Sequence, residues 1–207
     1  MNLIVITDPG EVEDEALKVY RLFEEGLEIL HYRKPDWSLE KYEDFLKQIP
    51  SRFYKNMVIH SHYKLIEKYN LRGIHLTGKY LAEVDEVSVK EVFKAISKRR
   101  LTISTSMHSI QEIQEDKRKY NYIFLSPLFD SISKKTYSSK MKSEEVKVFL
   151  KEYKNPEKVV ALGGIHKANI KKVIELGFTS AAMLGALWSL DDPAKEFRKI
   201  KISIHES

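Results

Sequence analysis

Eight short apolar runs, rich in β-branched and aromatic residues, recur along the whole chain. They are LIVIT (3–7), LEILHY (27–32), MVIH (57–60), GIHL (73–76), LTISTS (101–106), YIFLS (122–126), VVAL (159–162) and SAAML (180–184). Seven of them are followed by a stretch whose apolar positions fall three or four apart, the spacing of one helix face. Examples are EVEDEALKVYRLFEEG, LEKYEDFLKQI, IQEIQEDKRKY, KSEEVKVFLKEY and KANIKKVIELG. After the eighth run, DPAKEFRKI supplies a last helix, with Asp191 or Asp192 as its cap and Pro193 in its first turn. Runs that are apolar on both faces must be covered on both faces, and the intervening helices provide the cover in a parallel sheet. Eight strand–helix units in 207 residues predict a single-domain (β/α)8 TIM barrel spanning 1–207. An open doubly wound sheet is the alternative, but it usually has fewer strands. Within this frame EVSVKEVFKAISKRR reads as a helix, TGKYLAEVD as a loop before it, and 134–145 as a polar, basic mobile loop.

Composition narrows the function classes. The chain has no cysteine, which excludes disulfides, thiolate metal sites and cysteine nucleophiles. The N-terminal segment, MNLIVITDPGEVEDEALK, shows neither a basic leader nor a long apolar span, so a cytoplasmic protein without a membrane partner is expected. The formal charge is +5, but Lys and Glu alternate along the helical stretches, which reads as solvated helix faces and not as a nucleic-acid surface. A phosphate-bearing small molecule suits such a lysine excess equally well. Apolar helix faces are compatible with a homodimer, though no one patch stands out.

In a (β/α)8 barrel the chemistry sits where strands run into loops at their C-terminal ends. Those positions here gather Asp8, His31, Arg33, His60, His62, His75, Ser106, His108, the segment from Pro127 to Lys135, Gly163, Gly164 and Gly185. The loops after strands seven and eight commonly bind phosphate through backbone N–H groups. Gly163 and Gly164, paired with Gly185, fit that use, because glycine admits close approach and positive φ. The same glycines also fit a plain tight turn. Ser131, Ser133 and Lys134 in the loop after strand six make an anion clamp or a solvated basic loop. Arg33 reaches the same mouth from strand two and suits a second, bidentate anion.

Taken together, LIVITD, LHYRK, GIHL, STSMHS, YIFLSPLFDSISKK, ALGGI and SAAMLGAL resemble the thiamine phosphate synthase and TenI (thiazole tautomerase) superfamily over essentially the whole chain. The resemblance implies a cytoplasmic enzyme of thiamine biosynthesis. A synthase is a transferase that joins an aminopyrimidine diphosphate to a thiazole phosphate and releases pyrophosphate with Mg2+. It implies thiazole-phosphate contacts at Ser131, Ser133, Gly163, Gly164, Leu184 and Gly185, and diphosphate contacts at Arg33, Ser106 and Lys134, with His31, Lys34 and His60 also facing substrate. Arg33, Lys134 and His108 are the expected catalytic residues.

Departures from the pattern keep two alternatives open. His31 stands where synthases carry glutamine, and Pro35 replaces an expected lysine, with Lys34 beside it. His60-Ser61 replaces an Asn-Asp pair, and the second metal aspartate falls at Lys79 or Tyr80. Both Mg2+ carboxylates are therefore missing, and no residue is assigned to a metal. The histidines suit Zn2+ over Mg2+ as ligands, or acid–base chemistry as protonatable groups. A TenI-like isomerase needs no metal, but its acid–base histidine aligns near Pro127. A non-catalytic phosphate-ligand-binding paralogue is the other alternative.

Overall fold

The computed structural model describes residues 1–130 and 141–205. Eight parallel strands close into one barrel in sequence order, β1 (Asn2–Ile6), β2 (Ile29–Tyr32), β3 (Met57–Ile59), β4 (Gly73–Leu76), β5 (Thr102–Met107), β6 (Tyr122–Leu125), β7 (Val159–Leu162) and β8 (Ser180–Met183). The ring shuts between β1 and β8, where Asn2 aligns with Ser180 and Val5 with Met183. All eight expected strands form, each within a residue or two of the apolar run that announced it.

The two faces of each strand do different work, because successive side chains alternate. Outward residues such as Val5, Leu30, Ile59, Ile74, Ile103, Leu125, Ala161 and Ala181 join one large buried cluster with the helices. Inward residues Ile4, Ile6, Tyr122, Phe124, Val160 and Ala182 form a second, smaller cluster inside the barrel. Histidine and serine fill the rest of the interior, including His31, His75 and Ser104.

Ten helices flank the strands among the described residues. They are α1 (Glu15–Glu24), α2 (Leu39–Gln48), α3 (Leu65–Lys68), α4 (Gly78–Glu83), α5 (Glu86–Lys98), α6 (Ile110–Glu115), α7 (Ser143–Glu152), α8 (Ile170–Glu175), α9 (Gly185–Trp188) and α10 (Pro193–His205). Side-chain oxygens satisfy free N-terminal amides, as expected of helix caps. Ser38 accepts from Lys41 N, Asp85 from Val87 N and Ser88 N, and Ser109 from Glu112 N. Asp192 takes the amide of Lys195, settling which aspartate closes the start of α10.

The segment read as a loop after β4 is in fact helical over α4. Thr77 caps it by accepting from Tyr80 N, but no residue of α4 is buried, so it left no amphipathic signal. Helix α1 begins at Glu15 and not Glu11, because Asp14 takes a left-handed φ of 52° immediately before it. Helix α6 stops at Glu115, where Asp116 turns its carboxylate back onto the amide and side chain of Arg118. No helix among the described residues is long and apolar enough to cross a membrane.

Candidate active site

The interior polar residues converge toward the C-terminal rim of β2 to β6. His31 is fully buried. Its Nδ1 lies 2.8 Å from His60 Nε2, and its Nε2 lies 2.5 Å from the Tyr122 hydroxyl. His75 stacks on His60 with ring centroids 4.2 Å apart. Ser104 Oγ is 3.0 Å from His75 Nδ1, and Ser106 Oγ is 3.2 Å from its Nε2. The β2–β3 and β4–β5 registers make these meetings possible, aligning His31 with Val58 and His75 with Ser104.

Burial decides the charge of this cluster, because a low-dielectric interior disfavours the protonated ring. It holds His31 and His60 well below the usual imidazole range, with neighbouring histidines adding to the effect. His75 is pushed down to about 3, first by burial and then by the Arg33 charge. All three are neutral at physiological pH. Tyr122 is pushed up by its burial and stays a neutral phenol.

Arg33 stands at the rim above them. Its amide donates to Thr7 Oγ1 at 2.8 Å, and Thr7 Oγ1 returns a bond to Arg33 O at 3.2 Å, which ties the end of β2 to β1. Among the described residues its guanidinium forms no ion pair, and its charge is felt at both His60 and His75. Among the described residues it is a cation without an ion-pair partner at the mouth.

Lys34 corrects an expectation. Read as a substrate contact, it is 0% exposed, and its ammonium lies 2.5 Å from Glu15 Oε2 and 2.5 Å from Gly10 O. Burial pushes the Glu15 carboxyl up to about 7 against the pull of Lys34. Lys34 therefore fastens the first two strand–helix loops together and does not face the mouth.

The glycine pair after β7 has two faces. Gly163 has φ 100° and Gly164 φ 64°, a region favoured only by glycine. A Cβ on Gly163 would lie 2.7 Å from Pro127 Cα, and one on Gly164 would lie 2.5 Å from Asp130 O. What approaches too closely for a side chain is thus the 127–130 segment itself. Leu128 N donates to Leu162 O at 2.8 Å and Phe129 N to Gly163 O at 3.2 Å, fixing that packing. The amides behave differently. Among the described residues no backbone acceptor takes the N–H of Gly163, Gly164 or Leu184. Asn169 steadies the turn by donating to Gly164 O and accepting from His166 N, both at 2.8 Å. Gly185 opens α9, and Trp188 Nε1 anchors that short helix to Ile6 O at 2.7 Å.

His108 is exposed at the end of β5, with Nδ1 2.9 Å from Ser126 O. His62, one of the strand-end histidines, lies outside the barrel, with Nε2 3.0 Å from Trp37 O and its ring against Tyr42. Ser131, Ser133 and Lys134, and the basic loop that carries them, lie outside the described residues. Sequence reasoning missed Tyr122 and Ser104 as partners of the histidines. Their signal was parity, since each sits two residues before another inward residue, Phe124 or Ser106.

The donor set at the rims of β3 and β4 does not fit Mg2+, which favours oxygen ligands with at least one carboxylate. His60 and Ser61 follow β3. Lys79 and Tyr80 lie on α4, with Lys79 exposed and 3.9 Å from Glu83. No carboxylate among the described residues occupies either metal position.

Similarity to known proteins agrees with this anatomy. A family model described as "Thiamine monophosphate synthase" matches residues 3–187. A thiamine-phosphate synthase of Caldicellulosiruptor saccharolyticus is 26% identical over 195 residues, covering 92% of this chain and 83% of that protein. One from Dictyoglomus turgidum is 27% identical over 187 residues, covering 88% and 79%. The crystal structure of a thiamine phosphate pyrophosphorylase from Bacteroides thetaiotaomicron matches with a TM-score of 0.79 and 31% identity, over 99% of this chain and 98% of that one. A thiamine phosphate pyrophosphorylase from Pyrococcus furiosus shares the fold at a TM-score of 0.78 and 20% identity, over 99% and 96%. With the family's pattern running from the first strand to the last, this chain belongs to the thiamine monophosphate synthase/TenI family.

Proposed function

We propose that this chain is a thiamine phosphate synthase-type transferase, joining an aminopyrimidine diphosphate to a thiazole phosphate with release of pyrophosphate. The observation that carries the reading is that, among the described residues, no backbone acceptor takes the amides of Gly163, Gly164 and Leu184, on the two rims where barrels of this kind hold phosphate. Backbone N–H groups offer the thiazole phosphate a fixed, preorganised cradle, which Gly185 extends at the start of α9. Arg33, without an ion-pair partner among the described residues, takes the diphosphate from the opposite side of the mouth, with Ser106 as a neutral donor beside it. A guanidinium aimed at a departing pyrophosphate stabilises the charge that grows there as the pyrimidine methyl carbon is released. The thiazole nitrogen then captures that carbon. Ser131, Ser133 and Lys134 are assigned to the same anions by their place in the family pattern.

Thiamine-phosphate synthases use Mg2+. Among the described residues its carboxylates are missing, so the roles given above fall to Arg33, Ser106 and the backbone amides alone. The same departure favours a second reading, a TenI-like isomerase of a carboxythiazole phosphate. This reading assigns proton transfer to His108, exposed at the end of β5. One assay separates the two. Both substrates are mixed with and without EDTA, and pyrophosphate is measured. Release of pyrophosphate coupled to thiamine phosphate formation is expected. Turnover of the carboxythiazole phosphate alone, with no pyrophosphate from the pair, would transfer the chain to the second reading.

A further inference from the structure

The barrel interior holds a cluster that the coupling reaction does not use. Such interiors are filled mainly by branched apolar side chains, as Ile4, Ile6, Val160 and Ala182 fill this one on β1, β7 and β8. Across β2, β3 and β4 the corresponding space is given to His31, His60 and His75, each less than a tenth exposed. One ring nitrogen from each lies within 4.8 Å of the other two. Their ring centroids are 5.0, 5.5 and 4.2 Å apart.

We propose that His31, His60 and His75 form a three-nitrogen site for a first-row transition dication, Zn2+ by preference, with its fourth position open to the mouth. Imidazole suits Zn2+ where carboxylate suits Mg2+, so this chain replaces the oxygen site it lacks with a nitrogen site three strands wide. Tetrahedral Zn–N bonds of about 2.0–2.1 Å put ligand nitrogens about 3.3 Å apart. His31 Nδ1 and His60 Nε2 are 2.8 Å apart, so they separate slightly, while the His75 ring, now stacked at 20° to the His60 ring, turns to bring Nε2 onto the same ion. Two of the three far nitrogens are already held as metal-bound imidazoles require. The Tyr122 hydroxyl meets His31 Nε2 at 2.5 Å, and Ser104 Oγ meets His75 Nδ1 at 3.0 Å.

Burial keeps the three rings neutral, which is the ligating form. Binding then needs only a change of tautomer. The proton shared between His31 and His60 leaves the space between them, and His31 carries its own on Nε2, where Tyr122 accepts it. Arg33 acts on His60 and His75, and Arg72 on His31, each opposing a bare dication. That arrangement suits a metal whose open position carries an anionic oxygen of the substrate, since Arg33 then holds the same anion. Ser106, 3.2 Å from His75 Nε2, marks the side from which that oxygen enters.

The test uses the whole chain, freed of metal by chelation and titrated with Co2+ followed by visible spectroscopy, then with Zn2+ as competitor. One Co2+ per chain, with the strong absorption of a four-coordinate ion that Zn2+ abolishes, is expected. His60→Gln, at the rim of the cluster, should weaken binding by at least about a hundredfold, and His75→Gln likewise. His62→Gln, outside the barrel, should leave it unchanged. Circular dichroism and urea midpoints establish that each variant is folded, and His60→Gln decides the matter if His75→Gln does not fold. No stoichiometric Co2+ spectrum, the weak spectrum of six oxygen ligands, or equal affinity in His60→Gln would each overturn the proposal. None of these readouts depends on the coupling reaction, so its failure and failure of the metal site are distinguishable.

Discussion

Substituting alanine for Gly163 tests the account of the β7 turn at its tightest point. The backbone there has φ 100°, and the added Cβ would stand 2.7 Å from Pro127 Cα and 2.9 Å from Pro127 Cβ. Holding a residue with a side chain in so sparsely populated a region costs about 1–3 kcal/mol. Overpacking against a neighbour that cannot rotate away adds about 1–3 kcal/mol more. The neighbour is the backbone of the 127–130 segment, itself fixed by the Leu128 and Phe129 amides, so relief must come from moving main chain. A loss of about 2–6 kcal/mol is expected, a large share of the roughly 5–15 kcal/mol that holds a domain together. Urea unfolding followed by circular dichroism measures it. Gly78→Ala is the control: nothing lies within 4 Å of its Cβ and it opens helix α4, so no loss is expected and a gain of about 0.4–1 kcal/mol is allowed. If Gly163→Ala costs less than about 1 kcal/mol, the glycine is not there to admit the 127–130 segment.

Other outcomes follow from the same geometry. Lys34→Met removes the partner of a carboxyl already raised to about 7, so Glu15 takes up a proton at neutral pH and the loss, read as a lowered urea midpoint, should be about 1–3 kcal/mol. In the metal-free protein the buried histidines, with pKa values depressed on folding, make the unfolded chain the better proton binder below about pH 6.5. Stability should therefore fall as pH drops below that point, by up to about 1.4 kcal/mol per unit per histidine, and His75→Gln should shallow the slope. Glu15, raised to about 7, works oppositely, costing stability as pH rises from about 4.5 to 7; urea midpoints at pH 5, 6 and 7 read the balance. Arg33→Met should weaken the aminopyrimidine diphosphate at least about tenfold, the loss of one charge-assisted contact, and leave thiazole phosphate affinity unchanged in calorimetry.

The barrel was legible because its strands are apolar on both faces, which only a covered parallel sheet explains, and because each run ends in polar or glycine residues. Helix α4 was not legible, since six residues with only Tyr80 and Leu81 partly buried against the core are too few to write a period into the sequence. The glycine pair was read correctly as a demand for close approach, but what approaches is the chain's own Pro127–Asp130 segment. A sequence names the demand and not the visitor. Lys34 misled because it stands beside Pro35, where the family resemblance implies a substrate lysine, while strand parity turns alternate residues to opposite faces and delivers it to Glu15. The histidine cluster was visible as a set of strand-end residues, but its membership was not. Inter-strand register brings His31, His60 and His75 together and puts His62 outside, and register is a tertiary quantity.

Whether the amides of the β7 and β8 rims hold a phosphate is read by calorimetry of a phosphorylated thiazole against its dephosphorylated alcohol, with inorganic phosphate as competitor. The phosphate ester should bind, inorganic phosphate should displace it, and the alcohol should bind at least about tenfold more weakly, since even one charge-assisted contact is worth about 1.5–3 kcal/mol. Equal affinity for ester and alcohol, or no binding of either, would contradict a phosphate held at those rims.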